Sequence, residues 1–360
     1  MSILRLSHQT NAASTGRPEP DVQPRCATAD LAPDVQCRPA GGGRPISPLA
    51  YALFQETWWL EAVAPGQWDV VEVRESGQVV GRMPFVYRRR LGLNALTQPP
   101  LTPYLGPWLR QLDGKDARRC ARERHILDQL LAALPRHDVF IQSFHPAVQD
   151  WLPLFWQGFQ QTTLYTYLLH APDDRQRLWE GLQESTRRQI RKAERQLTVT
   201  SGDDLDLFLT LHRHTFGRQG RELPYPEAVV RRLDACCAAR EQRQILFAAD
   251  SRATCHAAIY TVWDDTTAYY LMGGSDPGLR SSGAMSLLMW AAIEYANKIG
   301  RSFDFEGSMI QSVERFFRCF GGRQTPYFHI SGARSWRGRL ALSGIGLLRG
   351  WGLAEHRAEQ

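Results

Sequence analysis

The stretch from residue 267 to residue 322 constrains the fold more than any other part of the sequence. Apolar alternation predicts a strand at residues 267–272, and a loop of small residues leads into an apolar helix at 283–298. A second strand at 302–306 and a helix at 312–320 follow. A meander of strands precedes this strand–loop–helix–strand unit, which is the pattern of an α+β fold.

Both halves of the chain show this order of elements. The first half has a helix, a hairpin, a second helix and further strands, and the second half has helices, a hairpin and the unit above. Predicted helices lie at 53–63, 116–134, 173–196, 204–217 and 225–240, and predicted strands at 68–73, 78–86, 138–143, 244–249, 255–263 and 326–330, with a hairpin-like stretch at 158–169. No residue-level repeat is visible, so the duplication rests on element order alone. We predict domains at 45–170 and 171–330, each a mixed central sheet flanked by helices.

The two ends of the chain differ from the middle. Residues 1–44 are rich in Pro, Gly and Ala without periodicity, which predicts a disordered arm rather than a targeting arm. Residues 331–360 are basic and apolar and predict either an amphipathic tail on a membrane surface or a terminal helix packed on the core. No apolar run approaches the ~20 residues of a membrane span, and no secretory signal is visible, so we expect a cytoplasmic protein.

Charge and cysteine usage narrow the function classes. The net charge of +6 favours anionic partners. Seven cysteines without CxxC spacing argue against a disulfide framework or a zinc site. His212 and His214 are two residues apart and would diverge on a helix, so we predict no metal site. The HExxH, GxSxG and Walker A motifs are absent from the sequence.

Small residues before the helix at 283–298 are typical of a phosphate site. Gly273 and Gly274 end the strand, and residues 275–283 form the loop. Free backbone N–H groups and the positive end of the helix dipole would face an anion there, and Arg280 adds a charge. The alternative is that Ser281 or Ser282 only caps the helix.

Two carboxylates at the end of the predicted strand 302–306 are candidates for proton transfer. Period-2 alternation places Asp304 and Glu306 on one face and their phenylalanine neighbours on the other. A half-buried Glu among phenylalanines can have its pKa raised towards working pH. The alternative, stronger for Asp304 than for Glu306, is a salt bridge to Arg315 or Arg318.

Two cationic groups could hold an anionic ligand. Arg187, Arg191 and Lys192 belong to a densely basic helix, and Arg315 and Arg318 lie one turn apart on another. The competing interpretation of both groups is a solvated charged surface.

These segments together resemble the GNAT acyltransferase superfamily, and more narrowly its Fem-type branch of two tandem GNAT-like domains. The likeness is carried by four segments: the basic helix at 187–194, the strand end at 271–274 with its helix, the run from 303–308 into 315–322, and the Pro-rich passage at 100–107. The resemblance implies an α+β fold of two tandem GNAT-like domains, the second catalytic and the first degenerate. It also implies transfer of an acyl group to an amine of a small molecule or peptide.

The resemblance further implies two possible co-substrates and no permanently bound cofactor. Acyl-CoA serves general members and aminoacyl-tRNA serves the Fem type. The acceptor could belong to envelope polysaccharide or natural-product biosynthesis, and a non-catalytic module that binds an anionic ligand is the rival function. The usual (Q/R)xxGx(G/A) loop is matched here through Gly283 and differs at Met285.

Each implied role falls on residues already singled out. The general base would be Glu306, with Asp304 beside it. The implied donor site comprises Met272, Gly273, Gly274, Arg280, Ser281, Ser282 and Gly283. The implied acceptor site comprises Arg187, Arg191, Lys192, Tyr270, Arg315 and Arg318.

Overall fold

One continuous sheet runs through both halves of the computed structural model. The structure describes residues 22–25, 46–111, 114–171, 173–217 and 220–343. Most of the predicted arm at 1–44 and the end of the predicted tail, 344–360, lie outside these ranges. None of the described helices is long and apolar enough to cross a membrane.

The strands and helices are numbered in chain order. The strands are β1 (Val22–Arg25), β2 (Trp68–Glu75), β3 (Gln78–Arg90), β4 (Leu93–Thr97), β5 (Trp108–Leu109), β6 (Val139–Ser143), β7 (Gln160–Leu169), β8 (Leu197–Gly202), β9 (Arg243–Asp250), β10 (Cys255–Trp263), β11 (Thr267–Ser275), β12 (Ser302–Asp304) and β13 (Arg323–Ala333). The helices are α1 (Thr57–Val63), α2 (Asp116–Ala133), α3 (Leu152–Trp156), α4 (Arg175–Gly181), α5 (Glu184–Glu194), α6 (Leu205–Gly217), α7 (Glu227–Ala238), α8 (Ala284–Lys298), α9 (Gln311–Arg318) and α10 (Trp336–Ser343).

The two halves repeat one strand arrangement. In the first half β2, β3 and β4 form an antiparallel meander, and β4 then pairs in parallel with β6. In the second half β9, β10 and β11 form the same meander, and β11 pairs in parallel with β12. Helices α2 and α8 make the two crossovers, as parallel neighbours require. The predicted α+β class and duplicated element order are confirmed.

The last strand of each half sits inside the other half's part of the sheet. The sheet order is β1-β2-β3-β4-β6-β13-β7-β12-β11-β10-β9-β8, with β5 beside β3. Thus β7, from the first half, pairs with β12, whereas β13, from the second half, pairs with β6. The two exchanged strands also pair with each other over nine residues. The predicted boundary at residue 170 therefore separates β7 from the strands that it joins.

A shared apolar core fastens the halves together. Phe54 and Trp59, from the start of the first half, are fully buried against α6, α7 and β11. The indole of Trp59 donates a hydrogen bond to Thr102 Oγ1 at 3.0 Å. The fully buried carboxylate of Asp264 accepts from Leu53 N at 3.3 Å and from Tyr269 Oη at 3.1 Å. Burying large aromatic side chains here stabilises the pair of halves as it would a single domain core.

Several predicted elements differ from the structure. The single helix expected at 173–196 is two helices, α4 and α5. Between them Gln183 N donates to Cys319 O at 2.9 Å instead of to a carbonyl of α4, so the first helix ends there. The hairpin expected at 158–169 is the single strand β7, and the strand expected at 302–306 ends at Asp304. Strands β1, β4, β5 and β8 and helix α3 were not predicted, and β1 lies within the arm that was expected to be disordered.

Candidate active site

A cleft opens where β11 and β12 separate. Their parallel register runs only from Thr267/Ser302 to Tyr269/Asp304. Beyond this register, β11 continues to Ser275 along β10. The segment that follows β12 turns away from β11 through Glu306 and Gly307, both at positive φ. A side chain on Gly307 would collide with the backbone of Tyr165, which explains the glycine. The edge of β11 after Tyr269 is therefore left without a strand partner among the described residues.

A β-bulge re-aims β11 at this cleft. Tyr260 pairs with Met272 and Thr261 pairs with Tyr270, which leaves Leu271 as the extra residue. Leu271 and Met272 consequently both pack in the core shared by the two halves, whereas Tyr270 packs on the opposite face. Bulges of this kind redirect backbone N–H and C=O groups next to functional sites.

Two glycines at the end of β11 allow close packing on both faces. A side chain on Gly274 would collide with the backbone of α6 at Leu211 and His212. A side chain on Gly273 would instead meet the Tyr270 hydroxyl. The imidazole of His212 fixes this end of the strand, because its Nδ1 lies 2.8 Å from Gly273 O and its Nε2 lies 3.0 Å from Tyr225 Oη.

The bonds of His212 define its protonation state. A carbonyl only accepts, so Nδ1 carries the hydrogen and Nε2 can accept from the tyrosine hydroxyl. Burial lowers the pKa of His212, in keeping with a neutral ring. Sequence reasoning considered His212 only as a metal ligand. Within the described ranges no three His, Cys, Asp or Glu side chains come together as a metal site.

Asp304 belongs to the last residue pair before β11 and β12 separate, and its carboxylate is buried. Tyr104 Oη donates to its Oδ2 at 3.0 Å, and Thr166 Oγ1 and Glu306 N, the latter at 2.7 Å, donate to its Oδ1. Burial raises the pKa of Asp304 to about 6, although these hydrogen bonds act in the opposite direction. The alternative of a salt bridge to Arg315 or Arg318 does not describe this site, since Arg318 pairs with Glu314 at 3.0 Å.

The carboxyl group of Glu306 differs from that of Asp304 in lacking partners. Its Oε1 is buried and has no hydrogen-bond partner in the described part of the chain. Burial, and secondly the charge of Asp304, raise the pKa of Glu306 well above its ordinary value. An unsatisfied buried oxygen of this kind costs free energy unless a ligand or water completes it. Glu306 is therefore suited to receive a proton from a bound group.

Tyrosines from distant parts of the chain enclose the two carboxyl groups. Tyr104, from the Pro-rich passage of the first half, packs edge-on against Tyr327 of β13 at a centroid distance of 5.0 Å. Burial raises the pKa of Tyr327, and the nearby charges of Asp304 and Glu306 raise it further. Sequence reasoning assigned no role to Tyr104, Thr166 or Tyr327. The Pro-rich passage at 100–107 was the one available signal.

The predicted phosphate loop takes the form of a short 3-10 turn before α8. The turn covers Arg280–Ser282, and Gly283, at φ +80°, is the N-cap residue. Ser282 Oγ accepts from Ala284 N at 3.3 Å, whereas the N-cap residue, Gly283, makes no side-chain capping bond. The following N–H groups of the first helical turn still point out of the helix without intrahelical partners. Arg280 is exposed, with no ion pair in the described ranges.

The basic helix α5 lies directly against this loop. Gln189 Oε1 accepts from Ser286 Oγ at 3.1 Å, and a side chain on Gly283 would come within 3.1 Å of Gln189 O. Lys192, one turn further along α5, is exposed, and Arg187 is half-buried. The structure therefore brings the basic helix α5 and the loop that carries Arg280 to one end of α8.

Helix α9 forms another wall of the cleft. Its Phe317 packs against the Tyr270 ring at a centroid distance of 5.7 Å. Arg315 is exposed and without an ion pair among the described residues, whereas Arg318 is already paired with Glu314. Arg191 is also partly engaged, because its guanidinium lies 5.4 Å from the centre of the Trp179 ring. The predicted grip of Arg315 and Arg318 on one anion therefore competes with an existing ion pair.

Comparisons with known proteins agree with this geometry. Residues 182–318 match the family model described as an acetyltransferase (GNAT) domain. The matched segment contains α5, the loop before α8, both carboxylates and α9. A search of curated proteins gives no significant match.

Several solved structures are similar to this chain at low sequence identity. The crystal structure of FemX is 13% identical, covers 77% of this chain and 91% of its own, and has a TM-score of 0.58. The C-terminal domain of a putative lysylphosphatidylglycerol synthetase from Agrobacterium fabrum is 12% identical, with coverages of 80% and 91% and a TM-score of 0.49. A tandem GNAT protein from the clavulanic acid biosynthesis pathway is 11% identical, with coverages of 74% and 83% and a TM-score of 0.46. The fold of this chain is therefore similar to that of FemX, in agreement with the predicted α+β fold of two similar halves.

Proposed function

We propose that this chain is an N-acyltransferase that moves an acyl group from acyl-CoA to an amine in the cleft between β11 and β12. The observation that carries the proposal is the buried, unpartnered Oε1 of Glu306 beside the unpaired edge of β11. The match of residues 182–318 to an acetyltransferase domain supports the same class of reaction. The cytoplasm, expected from the sequence, is the compartment that we propose.

Glu306 acts as the general base in this proposal. The nitrogen of the acceptor attacks the acyl carbonyl carbon, and Glu306 Oε1 takes the proton that the amine loses. Collapse of the tetrahedral intermediate breaks the carbon–sulfur bond of the donor, and the leaving thiolate takes the proton from Glu306, which returns this side chain to its ionised form. The raised pKa makes the ionised carboxylate of Glu306 a stronger base than an exposed one, and only this ionised form takes up the proton. The negative charge of Asp304 meanwhile remains stabilised by its three hydrogen-bond donors.

Backbone groups of β11 stabilise the oxyanion in the proposed site. Backbone N–H groups alternate between the two edges of a strand, so those of the Met272–Gly274 segment that point away from β10 face the free edge after Tyr269. Pre-oriented N–H donors aimed at a developing oxyanion are often the largest single contribution to acyl transfer. Gly273 and Gly274 serve the same oxyanion site in this proposal. Because they carry no side chain, Tyr270 and α6 can approach this strand closely.

The donor phosphates bind at the start of α8 in this proposal. Ser281, Ser282 and Gly283 lie at the helix N-terminus, and Arg280 supplies an exposed charge that pairs with no described acidic residue. Lys192, on α5 beside the loop, adds a second charge.

An anionic amine acceptor fits the opposite wall. Arg315 on α9 is free to bind a phosphate or carboxylate of the acceptor, whereas Arg318 is held by Glu314. Tyr270 lies between this wall and the carboxyl groups. We propose an acceptor from envelope polysaccharide or natural-product biosynthesis, either a small molecule or a peptide.

Aminoacyl-tRNA is a second candidate donor, favoured by the basic surface of α5. Arg187, Arg191 and Lys192 have no ion pair within the part of the chain that the structure describes. A row of unneutralised cations next to the donor loop suits the phosphate backbone of an RNA end. This alternative uses the same base and the same oxyanion donors.

The test compares the wild-type protein with Glu306→Gln. Thermal melting with acetyl-CoA, longer acyl-CoAs and charged tRNA identifies the donor, since a ligand that binds only the folded state raises the melting temperature. Turnover is then followed as donor-dependent modification of a panel of amines. We expect Glu306→Gln to bind the donor as the wild type does and to lose activity by about 10²- to 10⁴-fold.

Two outcomes would contradict the proposal. Full turnover by Glu306→Gln would remove Glu306 as the base. Absence of any donor-induced shift with both donor classes would instead favour a non-catalytic module that binds an anionic ligand. Asp128→Asn, an exposed carboxylate on α2, is the matched control and should behave as the wild type does.

A further inference from the structure

The outer face of α10 exposes two large apolar side chains. Gly338 and Ala341 face the sheet, where Ala341 packs in a small cluster with Val139 and Ile141 of β6. Trp336 and Leu340, four residues apart and therefore adjacent on the opposite face, are 66% and 63% exposed. Burying an indole and a leucine would be favourable, and no described residue covers them.

Two arginines flank this apolar stripe. At 100° per residue, Arg337 lies on one side of the Trp336–Leu340 stripe and Arg339 lies on the other, and both are exposed. Apolar residues at the outward centre with cations on both flanks are the pattern of a helix that lies in a membrane interface.

The tip of the β3–β4 hairpin extends the same surface. Leu91 is 71% exposed at this tip, and Arg337 Nη2 lies 3.5 Å from its carbonyl oxygen. The φ angle of Leu91 is +51°, a backbone conformation that leucine disfavours and that glycine or asparagine would adopt more easily. Arg90 pairs across the strands with Leu93, which belongs to the cluster under α10, so both residues lie on the α10 face.

The charge of this surface is one-sided. The sequence has no Asp or Glu between Glu75 and Asp113, nor between Glu314 and Glu355. Asp138 lies close to this surface. Its carboxylate accepts from Ser335 Oγ at 2.6 Å and from Asn94 N at 2.9 Å, and its charge interacts with Arg337. Three arginines and three large apolar side chains therefore share one face, and Asp138 offsets only part of the positive charge.

We propose that Leu91, Trp336 and Leu340, with Arg90, Arg337 and Arg339 around them, form a docking surface for an anionic lipid bilayer. The indole and the leucines enter the headgroup boundary, and the arginines meet lipid phosphates. Free phosphate or a nucleotide would satisfy the arginines alone and would leave the apolar side chains uncovered. The proposal is independent of the acyl-transfer reaction.

The docking surface lies on the same side of the sheet as the candidate active site. Alternation along β13 puts Tyr327 and Ala333 on one face, and α10 packs against Ala333 at Gly338. A protein bound to a bilayer through this surface would therefore have Tyr327 and the neighbouring carboxyl groups of the candidate active site on the membrane-facing side of the sheet.

Vesicle co-sedimentation of the full chain tests the proposal. The probes are vesicles of phosphatidylcholine alone and of phosphatidylcholine with about 30% phosphatidylglycerol, each at low and at high salt. We expect binding to the anionic vesicles that high salt weakens. Trp336→Ala/Leu340→Ala and Arg337→Gln/Arg339→Gln should each lower the partition coefficient by about tenfold, because each removes part of the apolar or electrostatic contact.

Matched variants separate docking from folding. Trp156→Ala removes an indole that is 61% exposed on α3, outside the docking surface, and should leave vesicle binding unchanged. All variants should melt as the wild type does, since every replaced side chain is exposed. Equal binding to neutral and anionic vesicles, or unchanged binding by both double variants, would overturn the proposal. A dimer lost in Trp336→Ala/Leu340→Ala, without vesicle binding, would overturn it in favour of self-association.

Discussion

Replacing Asp304 by asparagine is expected to stabilise the protein at neutral pH but not at acidic pH. Burial holds the pKa of Asp304 at about 6 in the folded protein, against an ordinary value of 3.8. The folded state therefore binds this proton more tightly than the unfolded chain does. The stability that the protonated form contributes is present below pH 3.8 and is lost as the pH rises through about 6. Asparagine never ionises, and its amide oxygen can still accept from Thr166 and from Glu306 N.

The difference in pKa sets the size of the effect. Each pKa unit corresponds to about 1.4 kcal/mol, so a shift of roughly two units is worth about 3 kcal/mol. We therefore expect Asp304→Asn to raise the free energy of unfolding by about 3 kcal/mol above pH ~7 and to change it little near pH ~4. The pKa of Glu306 should fall in the same variant, because one of the two causes that raise it is the charge of Asp304.

Urea unfolding followed by tryptophan fluorescence measures this difference. The wild type and Asp304→Asn are compared at about pH 4 and about pH 7.5. Asp128→Asn on α2 serves as the exposed control and should show no pH-dependent gain. Two results would refute this reasoning: an equal gain in the free energy of unfolding at both pH values, or a loss that grows with pH. Either would mean that ionisation of the buried Asp304 carboxyl group does not destabilise the folded protein.

Three further predictions concern the same region. Tyr104→Phe removes a hydrogen bond to a buried carboxylate and should lower the free energy of unfolding by about 2 kcal/mol near pH ~7.5 and by less near pH ~4, measured by the same urea series. Gly274→Ala should lower the melting temperature far more than Gly273→Ala does, because the first collides with helix backbone and the second with a movable hydroxyl; equal losses would contradict the packing of α6 on β11. Arg280→Gln should weaken acetyl-CoA binding by about tenfold in calorimetric titration, since an exposed cation on a phosphate is worth roughly 1–2 kcal/mol, and unchanged affinity would move the phosphates elsewhere.

The local unit around the cleft was predictable from its own sequence. Periodicity indicated β11, the loop, α8 and α9, and composition indicated the small-residue loop with Arg280. Asp304 and Glu306 were expected to meet by strand alternation, and they do meet. The strand, however, ends at Asp304, and a left-handed backbone conformation at Glu306 brings its N–H onto the Asp304 carboxylate. The proximity of the two residues was therefore predicted, whereas the backbone geometry that joins them was not.

Contacts between distant segments were beyond local patterns. Tyr104 lies 200 residues before Asp304 in the sequence, and Thr166 lies 138 residues before it. Periodicity within one segment carries no information about which segment lies across from it. The exchange of β7 and β13 could not be inferred for the same reason. The roles of the predicted donor and acceptor residues remain predictions, although the structure places the loop, α5 and α9 around one cleft.

The exchange of β7 and β13 makes the order of synthesis matter. A ribosome releases β6 long before β13, so during synthesis the edge of β6 has no neighbour and the emerging first half stays incomplete. Pairings that span this much sequence are slow to form, and until then an unpaired edge invites association with other chains. A segment ending near residue 170 would carry β7 without β12 and β13, and a segment starting there would lack β7. Cutting the gene between the halves should therefore yield two aggregating fragments, and mixing or co-expressing them should restore the sheet.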